Sequence, residues 1–492
     1  MRGRRFLFGV VSMMMAMCWA VPALAETAQD VANEVKTLKD KLQTIEKRLE
    51  TAENVTTRID KEEAALKEDK KTRAVAYYRD GFFIETPDKE FRLQIGGVLH
   101  FDCRQFQANR SASGFDIRRA RYDMRGYQYR SSGIEQSFRI QLEMADTAYL
   151  RNCYWMFKAR PELAVQIGQF KIPAGGADFL TEEAQVNFIE YATETPVSPF
   201  FDRGINVISK FLDGRIQTCL AAFTGTGVDV DVNKGDQDNN RDYVVRLLLV
   251  PFKNSGSSYI KGMHLAGSYQ DGIQSIKTVR GEANNRSENY ESSWYRWSAT
   301  NVDLDERTRY GGELHWIVGP GTFSYEFNRV QWENLRVYSG TPPTLQKAFP
   351  DDYHSDVHQV WVSYFLTGEE KQFEDIFFAW RQPKPKKNFS LKEGTWGAWE
   401  VLARYAFHNT SAGLFAGNTT ERILDGSSQG HSVTGGLRWI WNPKARLMLD
   451  VNYLKSTEGP GITIEKAEKG SATNRSYREQ ETAALFRIVL TP

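Results

Sequence analysis

The chain has 492 residues, 41% hydrophobic and 13% aromatic, with 63 Lys and Arg against 62 Asp and Glu and a mean hydropathy of −0.51. So even a balance singles out neither nucleic acid nor anions as a partner, and no nucleic acid is expected; what matters is where the charges sit. After the first residues no apolar run approaches the roughly 20 residues of a spanning helix, which excludes an α-helical membrane protein.

Taken in order, Arg2, Arg4 and Arg5 precede an apolar stretch from Phe6 to Trp19, and Ala23-Leu24-Ala25 supplies small residues at a cleavage site. Residues 1–25 therefore read as a secretory signal peptide, the apolar run being too short for a retained anchor. Cys18 follows the bulky Met17, which argues against lipidation. Cleavage removes three basic residues and no acidic one, leaving a net charge of −2. The remaining Cys103, Cys153 and Cys219 are odd in number and scattered, so they form no disulfide framework; a Cys103–Cys153 pair is allowed but not required. Export without a spanning helix leaves the periplasm, the exterior or a β-barrel of the outer membrane.

Residues 28–72 contain no Gly, Pro or aromatic residue. In heptads they place Val35, Leu42 and Leu49 at a, and Val31, Leu38, Ile45, Ala52, Ile59 and Leu66 at d, before position a decays to Thr56 and Glu63. This spacing predicts a coiled coil, hence an oligomer whose strand number the a and d residues leave open. A single charged helix is the alternative.

From Tyr77 the texture changes to aromatics, Gly and alternation at period two. Phe91, Leu93, Ile95, Leu99 and Phe101 alternate with Arg92, Gln94 and His100; Phe138, Ile140, Leu142 and Met144 with Ser137, Arg139, Gln141 and Glu143. The rhythm returns in Leu314 and Trp316, in Phe323, Tyr325 and Phe327, in Trp399 to Phe407, and in Leu447 to Tyr453. Polar stretches at Val230–Arg241, Gly281–Ser293 and Ala412–Gly430 read as loops. Such strands, with aromatics near the ends of their apolar faces, predict an all-β, transmembrane antiparallel barrel over residues 77–492. A secreted β-sandwich binding glycans through its 12 Trp and 21 Tyr is the soluble alternative.

A charge on the lipid face costs about 2 to 4 kcal/mol at the midplane, so parity predicts which charges face the lumen. In Ile117–Arg125 it turns Arg119, Arg121 and Arg125 inward and sends Arg118, of opposite parity, to the strand's end outside the hydrocarbon. Arg92, Arg104, Arg139, Arg215, Arg246, Arg404, Arg438 and Arg487 fall on polar faces by the same rule. Guanidinium forks suit carboxylate and phosphate oxygens, and a column of them would relay anions. The bland alternative is that lumen acids such as Asp102, Asp123, Glu143, Glu313, Glu326 and Glu400 neutralise them and the pairs brace the barrel.

The stretch from Asp80 to Lys210 resembles the phosphate-selective porin O and P family. The matching pieces are Asp80-Gly81-Phe82, Leu93-Gln94-Ile95-Gly96-Gly97 followed by Asp102, Phe115-Asp116-Ile117-Arg118-Arg119-Ala120-Arg121, Gly168-Gln169-Phe170-Lys171-Ile172-Pro173 and Asp202-Arg203-Gly204. The resemblance implies a homotrimer of roughly 16-stranded barrels, a third loop folded into the lumen, and a ladder of Arg and Lys guiding small anions such as phosphate. By matched position Arg118, Arg119 and Arg121 belong to that ladder. Lys171 leads into the expected inward loop, 174–200, and Arg203 closes it; Lys171 could equally partner Glu182 or Glu183. The chain ends Leu490-Thr491-Pro492 rather than on the aromatic residue usual for such barrels.

His354 and His358 are the only close histidine pair, read as lying in a loop before a strand at Val360–Leu366, and no nucleophile elbow, phosphate-binding Gly loop or metal-spaced Cys pair is present. No enzyme, cofactor or metal is expected. The expected function is diffusion of small anions across the outer membrane, phosphate or a related oxyanion foremost, with sulfate, polyphosphate, organic acids and unselective flow left open. The expected pathway residues are Arg118, Arg119, Arg121, Arg125, Arg139, Lys171 and Arg203, and the coiled coil is expected in the periplasm. A structural protein tying the outer membrane to the cell wall through that coiled coil is the rival.

Overall fold

The computed structural model describes residues 28–79, 81–107, 113–129, 132–145, 148–192, 199–225, 239–273, 284–289, 292–297, 302–303, 305–339, 344–374, 378–381, 384–416, 422–465 and 475–491. The proposed signal peptide, motif residue Asp80 and part of each expected loop lie outside them. The chain divides into two units, residues 1–73 and 74–492.

The first unit contributes one helix, α1, Ala28–Thr72, of 45 residues, about 68 Å long at 1.5 Å per residue. Its Lys, Glu, Ala and Leu are strong helix formers, and Thr37, Thr44 and Thr51 donate their hydroxyls to the carbonyls four residues back. Val35, Leu38, Leu42, Ile45, Leu49 and Ile59 all stay exposed within the single chain.

The second unit is a closed 16-strand antiparallel barrel. Its strands are β1 Phe91–Phe106, β2 Gly114–Gln128, β3 Glu135–Glu143, β4 Tyr149–Arg160, β5 Leu163–Lys171, β6 Phe201–Phe211, β7 Ile216–Phe223, β8 Asp242–Leu249, β9 Met263–Gly272, β10 Glu306–Val318, β11 Gly321–Glu333, β12 Tyr353–Phe365, β13 Ala398–Thr410, β14 Gln429–Asn442, β15 Ala445–Glu458 and β16 Gln480–Leu490. β16 pairs with β1, Leu490 opposite Leu99, which removes both sheet edges. A hairpin of Val75–Tyr78 and Phe82–Glu85 extends β1 at its start. At one end strands are joined by short turns at 161–162, 212–215, 319–320 and 443–444; at the other end connections reach the length of 172–200 and 273–305. Longer connections also occur at the short-turn end, 250–262 and, the longest there, 366–397.

Along β8, Asp242, Val244, Arg246 and Leu248 are buried while Tyr243, Val245 and Leu247 are exposed, the alternation a wet lumen and a lipid exterior impose. Register shifts interrupt it in several strand pairs, and two of them are β-bulges that re-aim an arginine. One lies at His100/Phe101, where Arg118 and Arg119 of β2 together oppose His100; the other at Gln141/Leu142, where Arg151 and Asn152 of β4 crowd one position of β3. An extra residue in one strand puts two neighbours on one side. Arg118 is therefore turned into the lumen rather than sent to the strand's end, which corrects the parity argument. Arg151 is brought inside by the same device.

The lumen is filled by chain rather than left open. The connection 172–200 runs across it and carries the short helix α2, Ala177–Leu180. Residues 287–289 enter from the long-loop end, where Asn289 donates to Glu481 and Asn452 to the Glu288 carbonyl. Residues 371–374 and 378–381 enter from the short-turn end, Phe373 lying 5.2 Å from Trp380 and Trp380 N donating to Thr181 Oγ1 at 2.8 Å. At the long-loop end a hydrophobic cluster including Trp294, Trp332, Phe349 and Leu424 ties the loops together.

The three cysteines are free, so the Cys103–Cys153 pair does not form. β12 begins at Tyr353, so both His354 and His358 belong to a strand and not to the loop expected from sequence. Replacing outward Leu449 by Arg is expected to lower folding stability in lipid vesicles by about 2 to 4 kcal/mol, read from denaturant titration; a change under about 0.5 kcal/mol would mean that this face does not meet lipid.

Candidate functional site

Two walls of the barrel grip the inward segment differently. On the wall of β2 to β4 arginines take its carboxylates. Arg121 donates to Glu183 at 2.8 Å and to Glu143 at 2.6 Å, and Arg151 reaches Glu183 at 2.5 Å. Arg139 pairs with Asp123 at 2.8 Å and with Glu182 at 2.5 Å. Arg118 binds Glu190 at 3.2 Å, which Arg487 of β16 shares at 2.6 Å while also holding Asp102.

The opposite wall takes backbone carbonyls. Arg246 donates to Gly175, Arg404 to Glu190, Arg438 to Asn187, Arg446 to Ala184 and Arg487 to Ile189, at 2.5 to 3.1 Å. Fixed guanidinium donors replace the water that a buried, irregular backbone would otherwise lack. The approach is close: a Cβ on Gly176 would lie 1.7 Å from Glu326 Oε2, so a larger residue here would have to displace the carboxylate that accepts from Asp178 N.

Glu313, His315 and Glu326 bring potential ligand atoms within 4.8 Å of one another. Their oxygens are already engaged: Glu313 takes Arg246, Ala177 N and His315 Nε2, and Glu326 takes Asp178 N and Gln359 Nε2. The group seats α2 and has no open position for a metal ion.

The sequence-derived site residues separate into three sets. Arg118, Arg121 and Arg139 sit in the lumen with carboxylate partners. Arg125, half exposed, pairs with Asp123 at 2.5 Å and lines a polar cavity of about 190 Å³ with Arg139, Glu182 and Lys444. Lys171 donates to the carbonyls of Phe179 and Thr181, at 2.6 and 3.1 Å, among the rings of Phe179, Tyr191 and Phe201; it holds the loop by its backbone and not through Glu182 or Glu183. Arg203 is not brought to the others. Asp202 and Asn206 are buried on the inward face of β6, and Arg203 has the opposite parity, that of the exposed Ile205.

Arg119 stands apart. It is 5% exposed, its hydrogen-bond neighbour is His100 Nδ1 at 3.4 Å, and it has no carboxylate within 4 Å among the described residues. Arg404 and Arg446 share that condition, Arg404 lying over the Phe188 ring at 4.3 Å. Arg404 Nε, Arg446 Nε, Arg438 Nη2 and His100 Nε2 are buried without a hydrogen-bond partner among the described residues. Alternation sets Arg446 on the polar face opposite Leu447, Leu449 and Val451, although it was not among the expected pathway residues; Arg151 was missed, because it depends on a bulge that alternation cannot reveal.

Comparison with known proteins agrees with the barrel. The family model described as phosphate-selective porin O and P matches residues 92–459. Porin O of Pseudomonas aeruginosa is 22% identical over 396 residues, spanning 75% of this chain and 84% of that protein. Of solved structures, an anion-selective porin from Comamonas acidovorans aligns with a TM-score of 0.47 at 11% identity, over 82% of this chain and 100% of that one. The outer membrane channel DcaP of Acinetobacter baumannii aligns with 0.46 at 7%, over 82% and 99%.

Burial pushes the Glu183 carboxyl up, but Arg121, Lys171 and Arg151 together hold it well below its ordinary 4.5. A carboxylate lowered in this way stabilises the fold above its ordinary value and loses that contribution as pH falls through the folded value. The grip on the loop is thus complete at neutral pH, and conductance should not change between about pH 7 and pH 5. Glu183→Gln is expected to cost about 3 kcal/mol of stability and to raise single-channel conductance by loosening the loop from Arg121 and Arg151. An unchanged conductance with unchanged stability would remove Glu183 from the clamp.

Proposed function

This chain belongs to the phosphate-selective porin O and P family and forms an anion porin of the outer membrane, and we propose that phosphate or a related oxyanion is its solute, carried along an arginine- and lysine-bearing lumen. The observation that carries this reading is the set Arg119, Arg404 and Arg446. Buried charges are normally paired, since an uncompensated ion in a low-dielectric site is costly. Three buried guanidiniums without a carboxylate leave a deficit of negative charge, which a passing anion would make good. Free N–H groups on Arg404, Arg438 and Arg446 would supply charge-assisted hydrogen bonds to its oxygens.

In this proposal the paired arginines play a second part. Arg118, Arg121 and Arg139 meet the solute only as Glu190, Glu183 and Glu182 yield, so the loop carboxylates set how much of the ladder is open. Arg125 and the cavity beside it form the vestibule at the short-turn end. Lys171 shapes the loop, and Arg203 drops out of the pathway.

We further propose that residues 1–25 direct export and that α1 lies in the periplasm, where its exposed Val35, Leu38, Leu42, Ile45 and Leu49 bundle three copies of the chain. The chain enters β1 at the short-turn end, which faces the periplasm in bacterial barrels of this type.

In planar bilayers, Arg119→Ala and Arg446→Ala should each weaken phosphate block of the chloride current about tenfold or more and move the reversal potential toward cation flow. Unchanged block and unchanged selectivity in both would end this assignment. Leu42→Asp with Ile45→Asp should lower the temperature at which the oligomer dissociates, seen by gel mobility of unheated and heated samples; an identical dissociation temperature would show that α1 does not bundle the protomers.

A further inference from the structure

After its inward part, the connection between β12 and β13 leaves the lumen and returns along the outside of the barrel as residues 384–397. Two hydrogen bonds fasten it there: Phe389 N donates to the Trp441 carbonyl and Trp439 Nε1 to the Trp396 carbonyl, both at 2.7 Å. Phe389 packs against Trp396, Trp439 and Trp441 at 5.1 to 6.0 Å, and Trp399 stacks on Trp439 at 5.0 Å. Trp399 and Trp439 belong to the outward faces of β13 and β14, so this aromatic cluster stands on the lipid side of the barrel at the short-turn end. A tight turn between Ser390 and Thr395 forms the tip, with Leu391 80% and Trp396 59% exposed.

The same segment carries Lys384, Lys386, Lys387 and Lys392 against the single acid Glu393. All four lysines are exposed, and none forms an ion pair with a described residue; Lys386 Nζ reaches only the Thr367 carbonyl at 3.4 Å. Exposed Leu and Trp side chains call for acyl chains, and unpaired ammonium groups call for anions. The surroundings that offer both within one side chain's reach are the headgroup region of a membrane with anionic lipid. A protein partner would have to share the lipid-facing side of the strands with the membrane itself.

We propose that residues 384–397 are a binding site for an anionic glycerophospholipid of the leaflet at the short-turn end, the lysines holding its phosphate and the Trp396, Leu391 and Phe389 surface lying along its acyl chains. The site is separate from the lumen and independent of which solute the channel carries. Its function would be to keep an anionic lipid bound to this stretch of the barrel's rim.

Native mass spectrometry of the full-length detergent-solubilised protein, titrated with phosphatidylglycerol and phosphatidylethanolamine of matched acyl chains, tests it. The wild type should retain phosphatidylglycerol about tenfold better. The combined variant Lys384→Gln, Lys386→Gln, Lys387→Gln and Lys392→Gln should lose that preference with conductance unchanged. Leu391→Ser with Trp396→Ser should weaken retention of both lipids while leaving their ratio. Equal retention of the two lipids by the wild type, or an undiminished preference in the lysine variant, would overturn the proposal. So would displacement of the bound lipid by equimolar soluble glycerol phosphate, which would make the site a reader of phosphate alone.

Discussion

A guanidinium taken out of bulk water must find negative charge or oxygen acceptors, and in this barrel the inward segment supplies most of both. The wall of β2 to β4 meets Glu182, Glu183 and Glu190; the wall of β8 and β13 to β16 meets backbone carbonyls from Gly175 to Glu190. The segment is irregular chain in the middle of a protein, a place where its own polar groups would otherwise go unsatisfied. Each side solves the other's problem. In the function proposed above, the pore is what remains after that exchange, and the arginines the segment leaves uncompensated give it its charge.

The clamp depends on two departures from regular sheet. Without the bulge opposite His100, Arg118 would face lipid and Glu190 would lose a partner; without the one opposite Gln141, Arg151 would not reach Glu183. Both bulges lie on the same wall and both deliver an arginine to a loop carboxylate. A β-bulge is often a device for re-aiming a side chain, and here it adds one inward arginine at each of two heights of the lumen.

The segment is also held from below. Residues 371–374 and 378–381 come up from the short-turn end and bring Lys371 to Glu400 at 2.7 Å and to Asn187 at 2.8 Å. The connection that makes this plug then carries the lysines and the exposed Leu391 and Trp396 to the barrel's outer rim. One long turn thus serves the inside and the outside of the barrel, which accounts for its length where the neighbouring turns are short.

Period-two alternation in the sequence was enough to determine the barrel, its inward faces and most of its lumen arginines, because lipid on one side and water on the other force that rhythm on every spanning strand. The run without Gly, Pro or aromatic residues over 28–72 likewise marked where α1 begins and ends. What alternation cannot carry is any event that breaks it or crosses the lumen. The inward placement of Arg118 and Arg151 hangs on register shifts between neighbouring strands, and the parity of Arg203 on where β6 starts. Whether a given arginine is compensated hangs on contacts with Glu183, Glu190 or Ala184, which are far from it along the chain and close only after the barrel has shut. Charge type and facing are local properties that a strand writes into its residues; charge balance is a property of the closed lumen, and only the tertiary structure decided it.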